Sequence, residues 1–280
     1  MKKVLAIILA LAMVLSFAAC GQKETANEPE VDENPLGVIN PGKLTVATSP
    51  DFAPYEFYVT DAAGNYQLAG FDVAIAGYIA DYLGLELDII PMDFDGCLAE
   101  LAAKNVDLAV AGLSPDPERV DKMDFSDIYY MGGQSFCVSK AMENEFADLA
   151  ATNDPKYSIG AQNGSIQVDL AEEFSPNSDI VKLTKVTDII AELLSGSLDG
   201  AYIEEAVAKT YAKNYPDFVV KFDVPYDQAG SAVGVIKGND ALLAGVNEAI
   251  AKALADGTMD GFVAKANEDA AGNIYEGLLQ

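Results

Sequence analysis

One arginine stands in a chain whose other basic residues are all lysine, within the segment "GLSPDPERVDKMDFSD" at residues 112–127. The planar guanidinium of Arg119 can hold a carboxylate through two parallel hydrogen bonds, which the point charge of a lysine cannot reproduce. Surface ion pairs are common and weak, so a pair with Asp116 or Asp121 is the alternative interpretation. Recognition of an anion is the chemistry that a lone arginine would supply here.

The residues before Arg119 favour the anion interpretation. Asp116 and Pro117 follow an apolar strand pattern and are typical of the N-cap and first position of a helix. Backbone N–H groups at a helix N-terminus are suited to an anion, so Ser114 and Arg119 are predicted to face such a site.

A second segment, "AQNGSIQ", has the same character. Gly164 and Ser165 directly precede a predicted helix that begins at Ile166, which again gives an N-terminus suited to an anion. A plain turn and helix cap is the alternative for these two residues.

Composition excludes several kinds of chemistry. The chain has no histidine and three cysteines, so a Ser-His-Asp or Cys-His nucleophile is impossible, and neither a zinc site, a haem site nor any other cofactor is expected. The net charge of −27 argues against nucleic acid as a partner, because nucleic acid attracts basic surfaces. Cys97 and Cys137 could form one disulfide, but each lies in an apolar segment, and free, buried thiols are favoured.

The elements that would position these residues alternate short β-like runs with longer helical patterns from Lys43 onward, which is typical of an α/β fold with mostly parallel strands. Strands are predicted at residues 43–48, 85–90, 106–112, 134–139, 157–161, 179–183, 199–203, 217–222 and 232–237. Helices are predicted at residues 71–82, 96–104, 166–174, 186–195, 204–215 and 241–256.

The chain is predicted to form two lobes. Polar, loop-rich stretches near residues 138–156 and 224–233 indicate that the chain leaves one lobe and later returns to it. Lobe 1 is predicted to comprise residues 43–137 and 231–280, and an inserted lobe 2 residues 138–230. Clefts between such lobes bind small ligands, often with closure of the lobes.

The N-terminus reads as an export signal. Two lysines and an apolar run of Val4–Ala19 predict a signal peptide over residues 1–19. "FAAC" resembles the lipobox of bacterial lipoproteins, with Phe17 where leucine is usual, so Cys20 is predicted to carry the lipid; an ordinary secretory signal is the alternative. Residues 20–42 are acidic and rich in Pro, Asn and Gly, which predicts a flexible tether.

Seven segments in order resemble the polar amino-acid-binding proteins of ABC importers, a solute-binding family. They are "GKLTVATSPDFAPYEF", "GNYQLAGFDVAIAGYIADYLG", "GCLAELAAKNVDLAVAG", "GLSPDPERVDKMDFSDIYY", "SIGAQNGSIQVDL", "LLSGSLDGAYIEEAVAK" and "VGVIKGNDALLAGVNEAIAKALADGTMD". The resemblance implies a two-lobed periplasmic-binding-protein-like fold of type II, with the ligand in the interlobe cleft.

The resemblance also implies roles for particular residues. It assigns Arg119 to the α-carboxylate of an amino acid, with help from Ser114 and the backbone around Gly112. Gly164, Ser165 and Ile166 approach the same carboxylate from the other lobe, Glu204 pairs with the α-ammonium, and Phe52, with Phe94 as its partner, covers the ligand.

Departures from the family pattern leave some roles open. Asp116 stands where many relatives have threonine, and Ile166 replaces a hydroxyl residue, so only its backbone is expected to contribute. Ser49 stands where some relatives that bind basic amino acids have aspartate, and Asp51 is a possible substitute. Core packing is as plausible as ligand contact for the aromatic residues, and Tyr55 and Phe57 favour the core.

The function expected is therefore an extracytoplasmic binding protein, monomeric and not an enzyme, that holds a polar L-amino acid. Its partners would be the permease subunits of an ABC importer and the cell membrane, through the lipid anchor. An enzyme resembling cyclohexadienyl dehydratase on the same scaffold is the alternative, with Glu204 or Asp116 as general acid. Fold alone does not decide between them.

Overall fold

The first of two five-stranded sheets contains strands from both ends of the described chain. The computed structural model describes residues 34–60, 63–227 and 230–272. In this sheet the order is β5-β1-β6-β13-β7, and β1 is parallel to both β5 and β6, whereas β13 is antiparallel to β6 and β7. The strands are β1 (Lys43–Thr48), β5 (Glu86–Pro91), β6 (Leu108–Ala109), β7 (Met123–Tyr130) and β13 (Ser231–Ile236).

A small antiparallel sheet and four helices pack with the first sheet. The small sheet contains β2 (Asp51–Phe52), β3 (Glu56–Thr60) and β4 (Tyr66–Ala69). The helices are α1 (Phe71–Leu83), α2 (Phe94–Ala102), α6 (Asp240–Ala255) and α7 (Thr258–Ala270). We refer to residues 34–130 and 231–272 as the first lobe.

The second sheet has the order β10-β9-β11-β8-β12, and it is also mixed, with β9 parallel to β10 and β11 and the remaining pairs antiparallel. Its strands are β8 (Gln134–Ser139), β9 (Ser158–Gln162), β10 (Asp179–Leu183), β11 (Gly200–Glu204) and β12 (Phe218–Val224). The helices are α3 (Ile166–Phe174), α4 (Val186–Ser195) and α5 (Glu205–Asn214). We refer to residues 134–224 as the second lobe.

The α/β class is confirmed, but the prediction of mostly parallel sheets was wrong. Two of the four strand pairings in each sheet are antiparallel. In the first sheet β13 runs antiparallel to both of its neighbours, and in the second sheet β8 does the same. The predicted boundary between residues 137 and 138 falls inside β8, whose pairing with β11 and β12 puts all of it in the second lobe. The chain therefore crosses between Tyr130 and Gln134.

Local sequence explains helix α4, whose first N–H group contacts Asp51 of the first lobe. In α4 the residues Val186, Ile189, Ile190 and Leu193 are buried at the three- and four-residue spacing of one helix face. Gly196 ends this helix in the left-handed conformation with φ +80°.

The largest cluster of buried apolar side chains includes residues of both lobes, so the lobes meet through packed side chains as well as polar contacts.

The predicted tether is only partly within the described residues. Residues 1–33, which include the predicted signal peptide and Cys20, lie outside them. Residues 34–42 were predicted to be flexible, but they pack against the rest of the first lobe. Val38 is buried, the N–H of Ile39 donates to Asp107 at 2.8 Å, and Asn239 donates to the Leu36 carbonyl at 2.9 Å.

Candidate functional site

The segment that contains Arg119 forms a turn between β6 and β7, so the prediction of a helix starting at Asp116 was wrong. The N–H of Arg119 donates to the Asp116 carbonyl at 3.0 Å, and the N–H of Lys122 donates to the Arg119 carbonyl at 2.9 Å. The Asp116 carboxylate accepts the N–H of Glu118 at 2.8 Å, as a cap would. The turn has no room to extend into a helix because β7 begins at Met123.

The guanidinium of Arg119 contacts both lobes. Its Nη2 donates to the carbonyl of Gly164 in the second lobe at 3.0 Å, while its Nε lies 3.3 Å from Oδ2 of Asp116. Burial lowers the pKa of Arg119, and the carboxylates of Asp116 and Asp169 oppose that shift. The predicted alternative of an ion pair with Asp116 is thus present, and the same side chain also spans the interface.

Gly112 shapes the segment that leads to Arg119. Its φ of +55° is in the left-handed region, and a Cβ there would lie 2.7 Å from the ring of Phe52. Its N–H donates to Oδ2 of the buried Asp72 at 2.7 Å, so this group is already engaged within the protein. Ser114, which follows, is buried.

The turn that joins β9 to α3 brings the second lobe to Arg119. Gly164 is left-handed, with φ +77°, and Ser165 is the N-cap residue of α3. The Ser165 hydroxyl donates to the Gln162 carbonyl at 2.7 Å rather than capping the helix. Ile166 is the buried first residue of α3, and the N–H groups of a first helical turn have no partner within the helix.

Glu204 ends β11 and caps α5. Its Oε2 accepts the N–H of Val207 at 2.9 Å, and its Oε1 accepts the hydroxyl of Tyr55, from the first lobe, at 3.0 Å. Burial raises the pKa of Glu204 to about 7, against the opposing effect of these two hydrogen bonds. Glu205 is the first residue of α5, and Glu204 is its N-cap.

Four aromatic residues form a continuous group beside the carboxyl group of Glu204. The ring centroid of Tyr55 lies 5.3 Å from that of Phe52, 4.3 Å from that of Phe71 and 5.5 Å from that of Tyr130. Phe94 is buried as the first residue of α2 and belongs to the same apolar cluster as Phe52. Tyr55 combines the predicted core position with a polar contact, since its hydroxyl bonds to Glu204.

A pocket of about 610 Å³ opens where the two lobes meet around Arg119. It is lined by residues of both lobes, including Arg119, Asp116, Gly164, Ser165 and Asp169. Glu204, Phe52 and Phe94 do not line it. The structure thus brings the predicted residues together in two groups: Arg119 with Gly164 and Ser165, and Glu204 with Tyr55, Phe52 and Gly112.

Three contacts of this region were not predicted from the sequence. The Tyr55 hydroxyl donates to Glu204, and the Asp72 carboxylate accepts the N–H of Gly112. Asp51 accepts the N–H of Val186 across the interface at 2.5 Å. Each of these partners lies far away in sequence, so local patterns carry no signal for them. The acidic character of Asp51 and Asp72 in otherwise apolar segments is the one clue that the sequence offers.

The other features of the described residues that bear on chemistry are the two cysteines, the acidic side chains and the apolar helices. Cys97 and Cys137 are free and buried, as the sequence indicated. Burial raises the pKa of Cys97 to about 12, so this thiol stays protonated. Across residues 34–60, 63–227 and 230–272 no group of three or more Cys, Asp or Glu side chains is placed to hold a metal ion. None of the helices in this part of the chain is long and apolar enough to cross a membrane.

Two α/β lobes with an arginine and a carboxyl group at their interface define the class of two-lobed ligand-binding proteins. A family model for bacterial extracellular solute-binding proteins, family 3, matches residues 44–268. The chain belongs to this family, which places it among extracytoplasmic proteins.

Named relatives agree with this assignment. The arginine-binding extracellular protein ArtP of Bacillus subtilis is 31% identical over 246 residues, which cover 86% of this chain and 88% of ArtP. The crystal structure of AbpA, an amino acid ABC transporter substrate-binding protein of Streptococcus pneumoniae bound to L-arginine, matches with a TM-score of 0.78 and 34% identity over 82% of this chain and 96% of AbpA.

A second structural neighbour carries a different name. The ancestral amino acid-binding protein AncCDT-1, described as a precursor of cyclohexadienyl dehydratase, matches with a TM-score of 0.70 and 30% identity over 80% of this chain and 94% of its own. Binding proteins and an ancestor of an enzyme therefore share this fold.

Proposed function

We propose that the protein captures a free L-amino acid between its lobes and delivers it to the membrane subunits of an ABC importer. One observation carries the proposal: Arg119 and Glu204 have opposite charges, are largely buried, and each contacts the opposite lobe. A free amino acid carries a carboxylate and an ammonium on neighbouring atoms. Arg119 would hold the former and the ionised form of Glu204 the latter.

The carboxylate subsite would combine donors from both lobes. A guanidinium has five N–H donors, and the contacts of Arg119 with Gly164 and Asp116 leave others for a ligand. The backbone N–H of Ile166 at the start of α3 and the hydroxyl of Ser114 would assist. Gly112 would contribute shape, because its N–H is bonded to Asp72.

L-Arginine is the first ligand to test, because ArtP and AbpA are named for arginine or bound to it. The rings of Phe52 and Tyr130 would offer cation–π contact to a basic side chain. Asp51 is less suited to read that side chain, since its carboxylate already accepts hydrogen bonds from Ser49 and Val186.

Isothermal titration calorimetry with all twenty amino acids tests this function. Saturable heat with L-arginine, and none with agmatine, which lacks the carboxylate, is expected if Arg119 binds that group. D-Arginine is the control for the stereochemistry of the ammonium subsite. An absence of heat and of thermal shift with every amino acid would contradict the proposal.

Attachment to the membrane is proposed through Cys20, which lies outside the described residues. The support is the resemblance of "FAAC" to a lipobox. Two acyl chains suffice for stable anchoring, so wild-type protein should sediment with membranes and a Cys20→Ala variant should not. Equal sedimentation of the two proteins would contradict a lipid anchor at this residue.

A dehydratase remains the second candidate because one observation favours it. With its pKa raised to about 7, Glu204 is partly protonated at neutral pH and could donate a proton to a leaving group. Turnover of prephenate or arogenate, followed by absorbance, would separate the two functions. Product formation that disappears in Glu204→Gln would support the enzyme; an absence of turnover alongside amino-acid binding would reject it.

A further inference from the structure

We infer that Asp51 is a positioning residue that holds the two lobes together by accepting the N–H of Val186 across the interface. Asp51 lies in β2 of the first lobe, and Val186 is the first residue of α4 in the second lobe. The inference rests on the proposed function in that lobe closure serves ligand retention. The contact itself does not involve Arg119, Glu204 or any other residue assigned to the ligand.

The geometry of the contact is that of a carboxylate on a helix N-terminus. Oδ2 of Asp51 accepts the Val186 N–H at 2.5 Å and lies 3.5 Å from Nε2 of Gln162, another residue of the second lobe. The first N–H groups of a helix have no partner within the helix, and the N-terminus carries a partial positive charge. A carboxylate placed there satisfies an otherwise unpaired donor.

The first lobe orients the carboxylate for this contact. The Ser49 hydroxyl donates to Oδ1 of Asp51 at 2.9 Å, and the Asp51 N–H donates to the Ser49 carbonyl at 2.8 Å. Asp51 is only 6% exposed, so the hydrogen bonds form away from water. Burial raises the pKa of Asp51 to about 6, which leaves the carboxyl group mainly ionised at neutral pH.

Separation of the lobes would break this contact completely. The Val186 N–H and the Asp51 carboxylate belong to different lobes, so neither retains the other when the cleft opens. Hydrogen bonds to charged groups contribute more than neutral ones, and a donor left unpaired in a buried interface is costly. The contact therefore stabilises the arrangement in which the lobes meet, and its loss should accelerate ligand release more than it slows ligand entry.

A second interlobe pair allows comparison. The side chain of Asn163 donates to Oδ2 of Asp95 at 2.8 Å, but both residues are only partly buried. Water can replace a partly exposed hydrogen bond at little cost, so this pair should matter less. Thr187 gives a matched control beside Val186, because it is buried at the same helix end and its hydroxyl has no hydrogen-bond partner among the described residues.

The test measures ligand kinetics and amide exchange together. With L-arginine as probe, Asp51→Ala should raise the dissociation rate about 10- to 100-fold with little change in the association rate. Asp51→Asn retains an acceptor oxygen, so its dissociation rate should be closer to that of wild type than the rate of Asp51→Ala is. Thr187→Val should dissociate at the wild-type rate. An unchanged dissociation rate, or a loss confined to the association rate, would overturn the inference.

Hydrogen exchange of the Val186 amide, followed by nuclear magnetic resonance without ligand, tests the contact between Asp51 and Val186 independently of amino-acid binding. Protection is expected in wild type and in Thr187→Val, partial protection in Asp51→Asn, and fast exchange in Asp51→Ala. Equal protection in all four proteins would overturn the inference. If wild type binds no amino acid, the proposed function fails, but the exchange result still tests the contact. Should Asp51→Ala not fold, the comparison of Asp51→Asn with wild type serves the same purpose.

Discussion

Arg119 reaches two partners through two different nitrogens of its planar guanidinium. Its Nε pairs with Asp116 and its Nη2 donates to Gly164 in the other lobe, so the guanidinium connects the two lobes, and Arg119 also lines the pocket. The ion pair suggested by sequence alone and the anion site suggested by the motif are therefore compatible. Asp116 orients the guanidinium and also caps the turn.

Arg119→Lys should weaken amino-acid binding by about 1.5–3 kcal/mol, because a bidentate, charge-assisted pair with the ligand is lost. Titration calorimetry would measure this as a rise in Kd of about 10- to 150-fold. Lys122→Ala is the control, since Lys122 lines the same pocket without an assigned role. Unchanged affinity in Arg119→Lys would leave only the structural ion pair.

Glu204 should make ligand affinity depend on pH. Its pKa is raised to about 7 by burial, and only the ionised carboxylate can pair with an ammonium. Affinity should therefore increase as pH rises from 6 to 8, and Kd should worsen by up to about tenfold per unit well below pH 7. Titrations at several pH values in Glu204→Gln should show weaker binding with a flatter profile; an identical profile would contradict the assignment.

At the scale of elements, the loop after β6 depends on a glycine that no other residue replaces easily. Gly112→Ala would place a side chain at φ +55° and a Cβ 2.7 Å from the Phe52 ring. Left-handed backbone costs an L-residue about 1–2 kcal/mol, and overpacking adds about 1–3 kcal/mol. The Tm of Gly112→Ala should fall by about 5 °C or more.

Gly64→Ala separates the backbone cost from the overpacking cost in the expected fall of Tm. Gly64 has φ +84°, but a Cβ there would meet nothing within 4 Å, so only the backbone cost applies. Its Tm should fall by less than that of Gly112→Ala in the same calorimetric scan. Equal losses would mean that the Phe52 contact does not constrain the loop.

Elements with strong local patterns were predictable, and those defined by tertiary contacts were not. The helices at residues 166–174 and 186–195 match α3 and α4, and the strand at 43–48 matches β1. The sequence did not predict β7, whose burial alternates irregularly along the strand, or α7, which buries only Met259, Ala266 and Ala270. Small residues give a weak apolar signal even where they pack well.

The candidate site was predictable to the extent that motifs carry it. The spacing from Ser114 to Arg119 and the position of Glu204 follow from the family resemblance. Tyr55, whose hydroxyl meets Glu204 from 149 residues away, could not be assigned its polar role, because that contact depends on how the two lobes meet.

For the whole molecule, buried carboxyl groups should make stability fall as pH rises toward neutrality. Burial raises the pKa of Asp51 and Asp72 to about 6 and that of Glu204 to about 7, above their ordinary values of 3.8, 3.8 and 4.5. The unfolded chain then loses protons first, so the contribution of these groups is complete below about pH 4 and is lost between pH 4 and 7.

Calorimetric scans of ligand-free protein at pH 5, 6, 7 and 8 should therefore give the highest Tm near pH 5. Relief of self-repulsion in a chain of net charge −27 acts in the same direction. Asp72→Asn combined with Glu204→Gln should flatten the slope. A Tm that rises steadily from pH 5 to 8 would contradict this account.

The two crossings between the lobes begin and end at one strand pair. Tyr130 at the end of β7 pairs with Ser231 at the start of β13, so the entry and exit of the second lobe are adjacent on the first sheet. An inserted segment with adjacent ends can be exchanged without rerouting the surrounding chain. The molecule is therefore modular: joining after Tyr130 and before Ser231 would allow a second lobe from another family member to be grafted at a single antiparallel edge, creating chimeras with half of each parent's cleft.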